Sequence, residues 1–213
     1  MSLDGARFYA IGDGIPAEVT RLLRRGNYEF AELKLLLSIL QADDRVLEVG
    51  AGIGVLGLIA ARVCGARNVL SYEPNPKTMP LIKANHNLNN LYPGVREKAI
   101  TAEGGSITFF RTENIISSSL IECDLSEAIT VGSDRINDAI AEFQPTVLVM
   151  DVEGAEVDLL PAADLSTLRA LVIETHAKII GAASVADLKV QLVDRGFRIA
   201  EVANNNLLCL RIV

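Results

Sequence analysis

The sequence contains no tryptophan, two histidines and three cysteines among 213 residues, and only 5% of it is aromatic. Cys64, Cys123 and Cys209 are odd in number, far apart and without C-x-x-C spacing. That pattern excludes a disulfide framework and a structural zinc site, and leaves three small packing residues suited to a reducing compartment. No apolar run approaches the ~20 residues that span a bilayer, and the first residues lack a basic stretch followed by an apolar one. A cytoplasmic location away from membranes is therefore expected. Clustered positive charge is also scarce: beyond Arg21 to Arg25 no run of Lys or Arg stands out, and the formal charge is -7. Such a balance suits neither nucleic acid nor an anionic membrane surface, so the expected partner is a small molecule.

Half of the residues are hydrophobic, enough for one sizeable core. The chain is organised around Arg45 to Arg62, where a short apolar run carrying an acid passes through alternate glycines into helical periodicity, the pattern of strand, tight loop and helix. Two ligand classes can be read there. Gly52-Ile53-Gly54-Val55-Leu56-Gly57 spells the dinucleotide fingerprint, with Glu73 further on as a ribose acid. The strand, however, stops at Val49, and counting from Gly50 puts Val55 at the third fingerprint position. The competing pattern is acid-x-Gly-x-Gly-x-Gly, filled by Glu48, Gly50, Gly52 and Gly54. An acid there suits a ligand with an ammonium and a sulfonium, such as S-adenosylmethionine, and repels a pyrophosphate.

Taken in order, residues 4 to 15 read as an irregular lead-in, and helical spacing from Pro16 to Leu40 gives two helices broken at Gly26-Asn27. Residues 1–40 are thus a helical lead-in packed on the sheet, and residues 41–213 the ligand-binding domain of one globular unit. Val69 to Tyr72 is a second strand, with Glu73 and Pro74 at its exit. A third is expected at Glu97 to Thr101, its exit bordering the adenine ring near Ala99. Residues 111 to 133, centred on Ser117-Ser118-Ser119, read as a polar loop. Val147 to Met150 is a buried fourth strand ending in Asp151-Val152-Glu153-Gly154-Ala155-Glu156, and Leu171 to His176 a fifth with Glu174 and His176 at its exit. Acids at neighbouring strand exits are costly unless they serve a cation, a proton transfer or a metal. A helix and a hairpin around Asn204-Asn205-Asn206 finish the chain. The fold class is α/β: a Rossmann-like, seven-stranded, mostly parallel sheet with helices on both faces and a C-terminal antiparallel hairpin strand.

Over roughly residues 26 to 180 the chain resembles the FkbM-type S-adenosylmethionine-dependent methyltransferases. The matching pieces are Gly26-Asn27-Tyr28-Glu29, Val46 to Gly54, Tyr72-Glu73-Pro74, Asn85 through Asn89, Ser118-Ser119-Leu120, Met150 to Glu156 and Glu174-Thr175-His176. Two departures stand out: Gly52 replaces the family's usual asparagine, and the acid often found after the third strand falls near Ala102. The resemblance implies the class I methyltransferase fold, with Tyr28, Glu48, Gly50, Gly52, Gly54, Glu73, Pro74, Ala99 and Asp151 around the cofactor. It further implies methylation of a hydroxyl on a small molecule or sugar. His176 or Glu153 is the candidate base, with Glu174 orienting His176 and Asp151 beside the sulfonium. No metal is required, although Asp151, Glu153 and Glu174 offer magnesium three oxygen ligands. A nicotinamide-dependent oxidoreductase and a non-catalytic cofactor-binding module remain the alternatives, and a homodimer is one of the oligomeric states left open.

Overall fold

The computed structural model describes residues 1–10, 15, 17–111 and 127–212. The Ser117 to Leu120 stretch lies outside them. Strands β1 (Ser2–Leu3) and β2 (Ala6–Arg7) pair antiparallel where an irregular lead-in was expected, and helices α1 (Ala17–Arg25) and α2 (Phe30–Ile39) follow. The alternating part comprises β3 (Val46–Val49), α3 (Val55–Cys64), β4 (Val69–Tyr72), α4 (Met79–Asn89) and β5 (Gly94–Arg96). Then come β6 (Ala99–Thr101), β7 (Gly105–Arg111), β8 (Glu127–Arg135), α5 (Ile136–Phe143), β9 (Val147–Met150) and α6 (Glu156–Ala162). The chain closes with β10 (Ala170–Glu174), α7 (Ala177–Ile180), α8 (Ala182–Asp194), β11 (Phe197–Ala203) and β12 (Asn206–Arg211).

Seven strands form one sheet in the order β11-β12-β10-β9-β3-β4-β5. Its inner pairs are parallel, and β12 runs antiparallel to both β10 and β11. The runs Val46–Val49, Val69–Tyr72 and Val147–Met150 are buried throughout, as strands covered on both faces must be. Alternation splits their side chains between two cores. Val46, Val69, Val147, Val149, Val172 and Leu208 pack with residues of α1 to α3. Leu47, Leu148, Met150, Leu171, Ile173 and Leu207 pack with residues of α5, α6 and α8 on the other face.

The expected third strand is corrected in position. The main sheet takes Gly94–Arg96, while Ala99–Thr101 joins a separate sheet of order β6-β8-β7. The stretch read as loop up to residue 133 contains most of β8, which runs antiparallel to β7. A polar pin closes the end of the sheet remote from the strand exits. Asp44, 2% exposed, accepts hydrogen bonds from Gln41 N, Thr146 Oγ1 and Arg169 Nε at 2.7 Å each, tying the starts of β3, β9 and β10 together. Among the described residues no helix is long and apolar enough to cross a membrane.

Candidate active site

The site begins at the exit of β3. Gly50 has φ +91°, and a Cβ there would stand 1.8 Å from the carbonyl oxygen of Asp151, so the loop passes against the neighbouring strand at a distance only glycine allows. Asp151 N donates to Val49 O at 3.0 Å and fixes the two strand exits side by side. Glu73, at the exit of β4, accepts from Gly52 N and from Asn75 N, both at 2.8 Å, and so ties the loop to the next strand. Tyr28 and Glu29 cover the loop from the start of α2. A Cβ on Gly52 would meet the Tyr28 hydroxyl at 3.1 Å and Glu29 Oε1 at 3.3 Å. Behind the loop, Asn85 of α4 donates to Ile53 O at 3.0 Å and accepts from Tyr9 N at 3.0 Å.

Between these parts lies a cavity of about 770 Å³. Of the residues expected at the cofactor, Tyr28, Gly50, Gly52, Glu73, Pro74, Ala99 and Asp151 line it, as do Glu153, Glu174 and His176. Glu48 and Gly54 do not line it. The Glu48 carboxylate turns beneath the loop, where it accepts from Gly57 N at 3.2 Å and from the Ser71 hydroxyl. Gly57 permits this closeness, since a Cβ there would fall 2.6 Å from both Glu48 Oε2 and Ser71 Oγ. Gly54 instead opens α3, with its Cα face against Ile82. The acid of the motif therefore supports the loop from behind.

The catalytic candidates converge. His176 Nε2 lies 3.5 Å from Asp151 Oδ1 and 3.3 Å from Glu153 Oε2, while its Nδ1 lies 3.3 Å from Glu156 Oε1. Glu156 also accepts from His176 N at 2.8 Å and from Gly154 N at 2.9 Å. Glu156, not Glu174, orients the imidazole. It opens α6 and folds back across the loop, whereas Glu174 leaves its strand toward α2 and Glu32. Donor atoms of Asp151, Glu153 and His176 lie within 4.8 Å of one another, close enough to share a cation as well as a proton.

Among the described residues, six carboxylic acids line this cavity, Glu29, Glu32, Glu73, Asp151, Glu153 and Glu174. Burial is the largest influence on the protonation of Glu29, Glu73, Asp151, Glu153 and Glu174. It raises Glu73 to about 8 against the opposing backbone bonds, and Asp151 to about 7 against the pull of His176. Burial, then Glu32, pushes Glu174 to about 9. Burial alone would lower His176, but the Glu156 hydrogen bond and the charges of Asp151 and Glu153 outweigh it and raise it to about 9. His176 is thus the positive centre of the group at neutral pH. Asp151 Oδ1 and Glu29 Oε2 are buried atoms without hydrogen-bond partners. Two buried carboxylate oxygens without hydrogen bonds beside an open glycine loop, that of Asp151 having only the 3.5 Å ion pair with His176, fit a cofactor bearing an ammonium and a sulfonium, and they disfavour a pyrophosphate.

Glu32, Glu29 and Asn206 also line the cavity, and sequence reading had not singled them out as site residues. Glu32 offered one signal, an acid in the largely apolar run Phe30 to Leu37, whose other charge is Lys34.

The sequence model of the Methyltransferase FkbM domain matches residues 48–199, well over half of the chain. Nothing among curated proteins matches it. Among solved structures, the chain is similar to a ribosomal protein L11 methylase from Lactobacillus delbrueckii subsp. bulgaricus, with TM-score 0.53 and 16% identity over 88% of this chain and 80% of that one. It is also similar to magnesium protoporphyrin IX methyltransferase from Synechocystis PCC 6803 with bound SAM, with TM-score 0.53 and 16% identity over 95% and 88% of the two chains. A putative RNA methyltransferase from Pyrococcus horikoshii matches with TM-score 0.51 and 11% identity over 88% and 85%. At these identities the likeness is one of fold, the class I methyltransferase fold.

Proposed function

The chain belongs to the FkbM methyltransferase domain family and uses S-adenosylmethionine, and from that premise we propose that it methylates a hydroxyl oxygen of a small molecule or sugar. The observation that carries this reading is the meeting of Asp151, Glu153 and His176 at one end of the cavity. Tyr28, Glu29, Gly50, Gly52, Glu73 and Asp151 are the residues that would hold the cofactor, with Glu73 at its ribose and Ala99 beside the adenine. When bound, the cofactor supplies a methyl group already activated on a cationic sulfur, so positioning contributes much of the rate.

The protein's part in the chemistry is to take one proton from the acceptor hydroxyl. With His176 held as imidazolium, the receiving group at neutral pH is a carboxylate, Glu153 with Asp151 beside it. Glu156 fixes the imidazole through Nδ1, and the imidazolium in turn holds both carboxylates through Nε2. The neighbouring solved enzymes are named for a ribosomal protein, a porphyrin and RNA, so the acceptor does not follow from the fold. The metal-free mechanism predicts undiminished activity in the presence of a chelator.

The test is methyl transfer to a hydroxyl acceptor by the wild type and by protein carrying both Glu153→Ala and His176→Ala. Removal of the proton acceptor and its orienting partner should lower kcat about 10²- to 10⁴-fold while cofactor binding persists. Undiminished transfer by the double variant would remove these residues from the mechanism.

A further inference from the structure

The geometry points to an acceptor that carries an ammonium group, seated by Glu32, Glu174 and Asn206. This rests on the methyltransferase reading above and adds the acceptor's charge to it. Strand order separates the seat from the cofactor residues. Gly50 follows β3 and Glu73 follows β4, whereas Glu174 ends β10 and Asn206 opens β12, two and three strands beyond β3 on the other side. At about 4.8 Å per strand, that is a displacement of about 10–14 Å.

The three side chains meet for reasons of register. Glu174 and Asn206 are direct partners across the antiparallel ladder, so they leave the sheet on the same face. Alternation places them with Val172 and Leu208, on the face that α2 covers. Glu32 descends from α2, only 7% exposed, and its carboxyl sits close enough to help push the pKa of Glu174 up. Asn206 is 3% exposed, lines the cavity, and has an Oδ1 without a hydrogen-bond partner.

Two carboxyls and an amide oxygen converge as acceptors, with Glu174 held protonated up to about 9. A buried oxygen left without a donor costs about 1–3 kcal/mol, and two adjacent carboxyls cannot both ionise in the absence of a cation. Among the described residues, the cations that line the cavity are engaged elsewhere. Lys98 pairs with Asp134 at 2.6 Å, and His176 with Asp151, Glu153 and Glu156. An ammonium brings a positive charge and three N–H donors, enough for all three oxygens, where a hydroxyl brings one donor and no charge. Its arrival replaces the proton that burial and Glu32 keep on Glu174.

The experiment uses the protein saturated with S-adenosylhomocysteine and titrated calorimetrically with two matched pairs, ethanolamine against ethylene glycol and 3-amino-1-propanol against 1,3-propanediol, both amines being ammonium ions at the pH used. Each titration is run in two buffers of different ionisation enthalpy at pH 8. The amines should bind about 10-fold more tightly than their neutral partners, as hydrogen bonds to a charged group imply. Their heats should also differ between buffers by the release of protons from the acid pair. Glu32→Gln and Asn206→Leu should each abolish most of that preference while S-adenosylhomocysteine still binds, which shows that the variants are folded. Amines that bind no better than their neutral partners, including no binding by either, would overturn the proposal, as would a preference that survives both substitutions. Failure of wild-type protein to bind S-adenosylhomocysteine would instead remove the methyltransferase reading itself. Methylation of the amine nitrogen would retain the ammonium seat and overturn the hydroxyl assignment.

Discussion

His176 faces Asp151 and Glu153 through Nε2 and Glu156 through Nδ1, and that arrangement decides which group can act as base. Burial opposes its charge, yet three carboxylates hold it protonated up to about 9, while burial keeps a proton on Asp151 up to about 7. If the carboxylate pair accepts the hydroxyl proton and Asp151 must be ionised for it to do so, kcat/KM should rise as pH increases through about 7 and level off below 9, because this constant reports ionisation in the free protein. If His176 were the base, activity would continue to rise to about 9. A pH profile of kcat/KM separates the two, and the limb near 7 is the expected result. The same residues show where sequence reading stops. Asp151, Glu153 and His176 were legible because each closes an apolar strand run at one edge of the sheet. The orienting role of Glu156 was not legible, since it depends on a side chain folding back across a loop whose Glu153 has φ +50°.

At the scale of elements, the glycine loop is where backbone geometry is most constrained. Gly50→Ala combines a positive φ with a Cβ placed 1.8 Å from a backbone oxygen, and neither can relax without separating β3 from β9. The expected cost is about 3 kcal/mol, a fall in Tm of about 6–12 °C for a domain of this size. Gly26→Ala is the control. It shares the positive φ but has nothing within 4 Å of the added Cβ, so its cost should stay at about 1–2 kcal/mol. Thermal unfolding of both variants checks the difference. The strands β3, β4, β9 and β10 were legible as short, mainly apolar runs bounded by polar residues. The strand β5 was not, because three residues at a sheet edge with Gly94 at their head carry no apolar run, whereas Ala99-Ile100-Thr101 just beyond them does. The strand β8 was missed for a related reason. Most of its residues are exposed or half-buried, so its composition reads as a loop.

For the molecule as a whole, the order of the sheet gathers onto one edge the acids that the sequence scatters from Glu29 to Glu174. A chain of net charge -7 directs six carboxylic acids among the described residues into its principal cavity, an environment that selects cations and rejects phosphates. The glycine loop by itself fits a dinucleotide as well as S-adenosylmethionine, and the electrostatics of the assembled cavity discriminate between them. The most direct measurement is a calorimetric titration of the purified protein with S-adenosylhomocysteine and with NAD in parallel, repeated on Glu73→Ala. The account predicts that S-adenosylhomocysteine binds and NAD does not. It also predicts that Glu73→Ala weakens the adenosyl ligand about 10- to 100-fold, the worth of hydrogen bonds from ribose hydroxyls to a carboxylate. Binding of NAD in preference to S-adenosylhomocysteine would contradict the account.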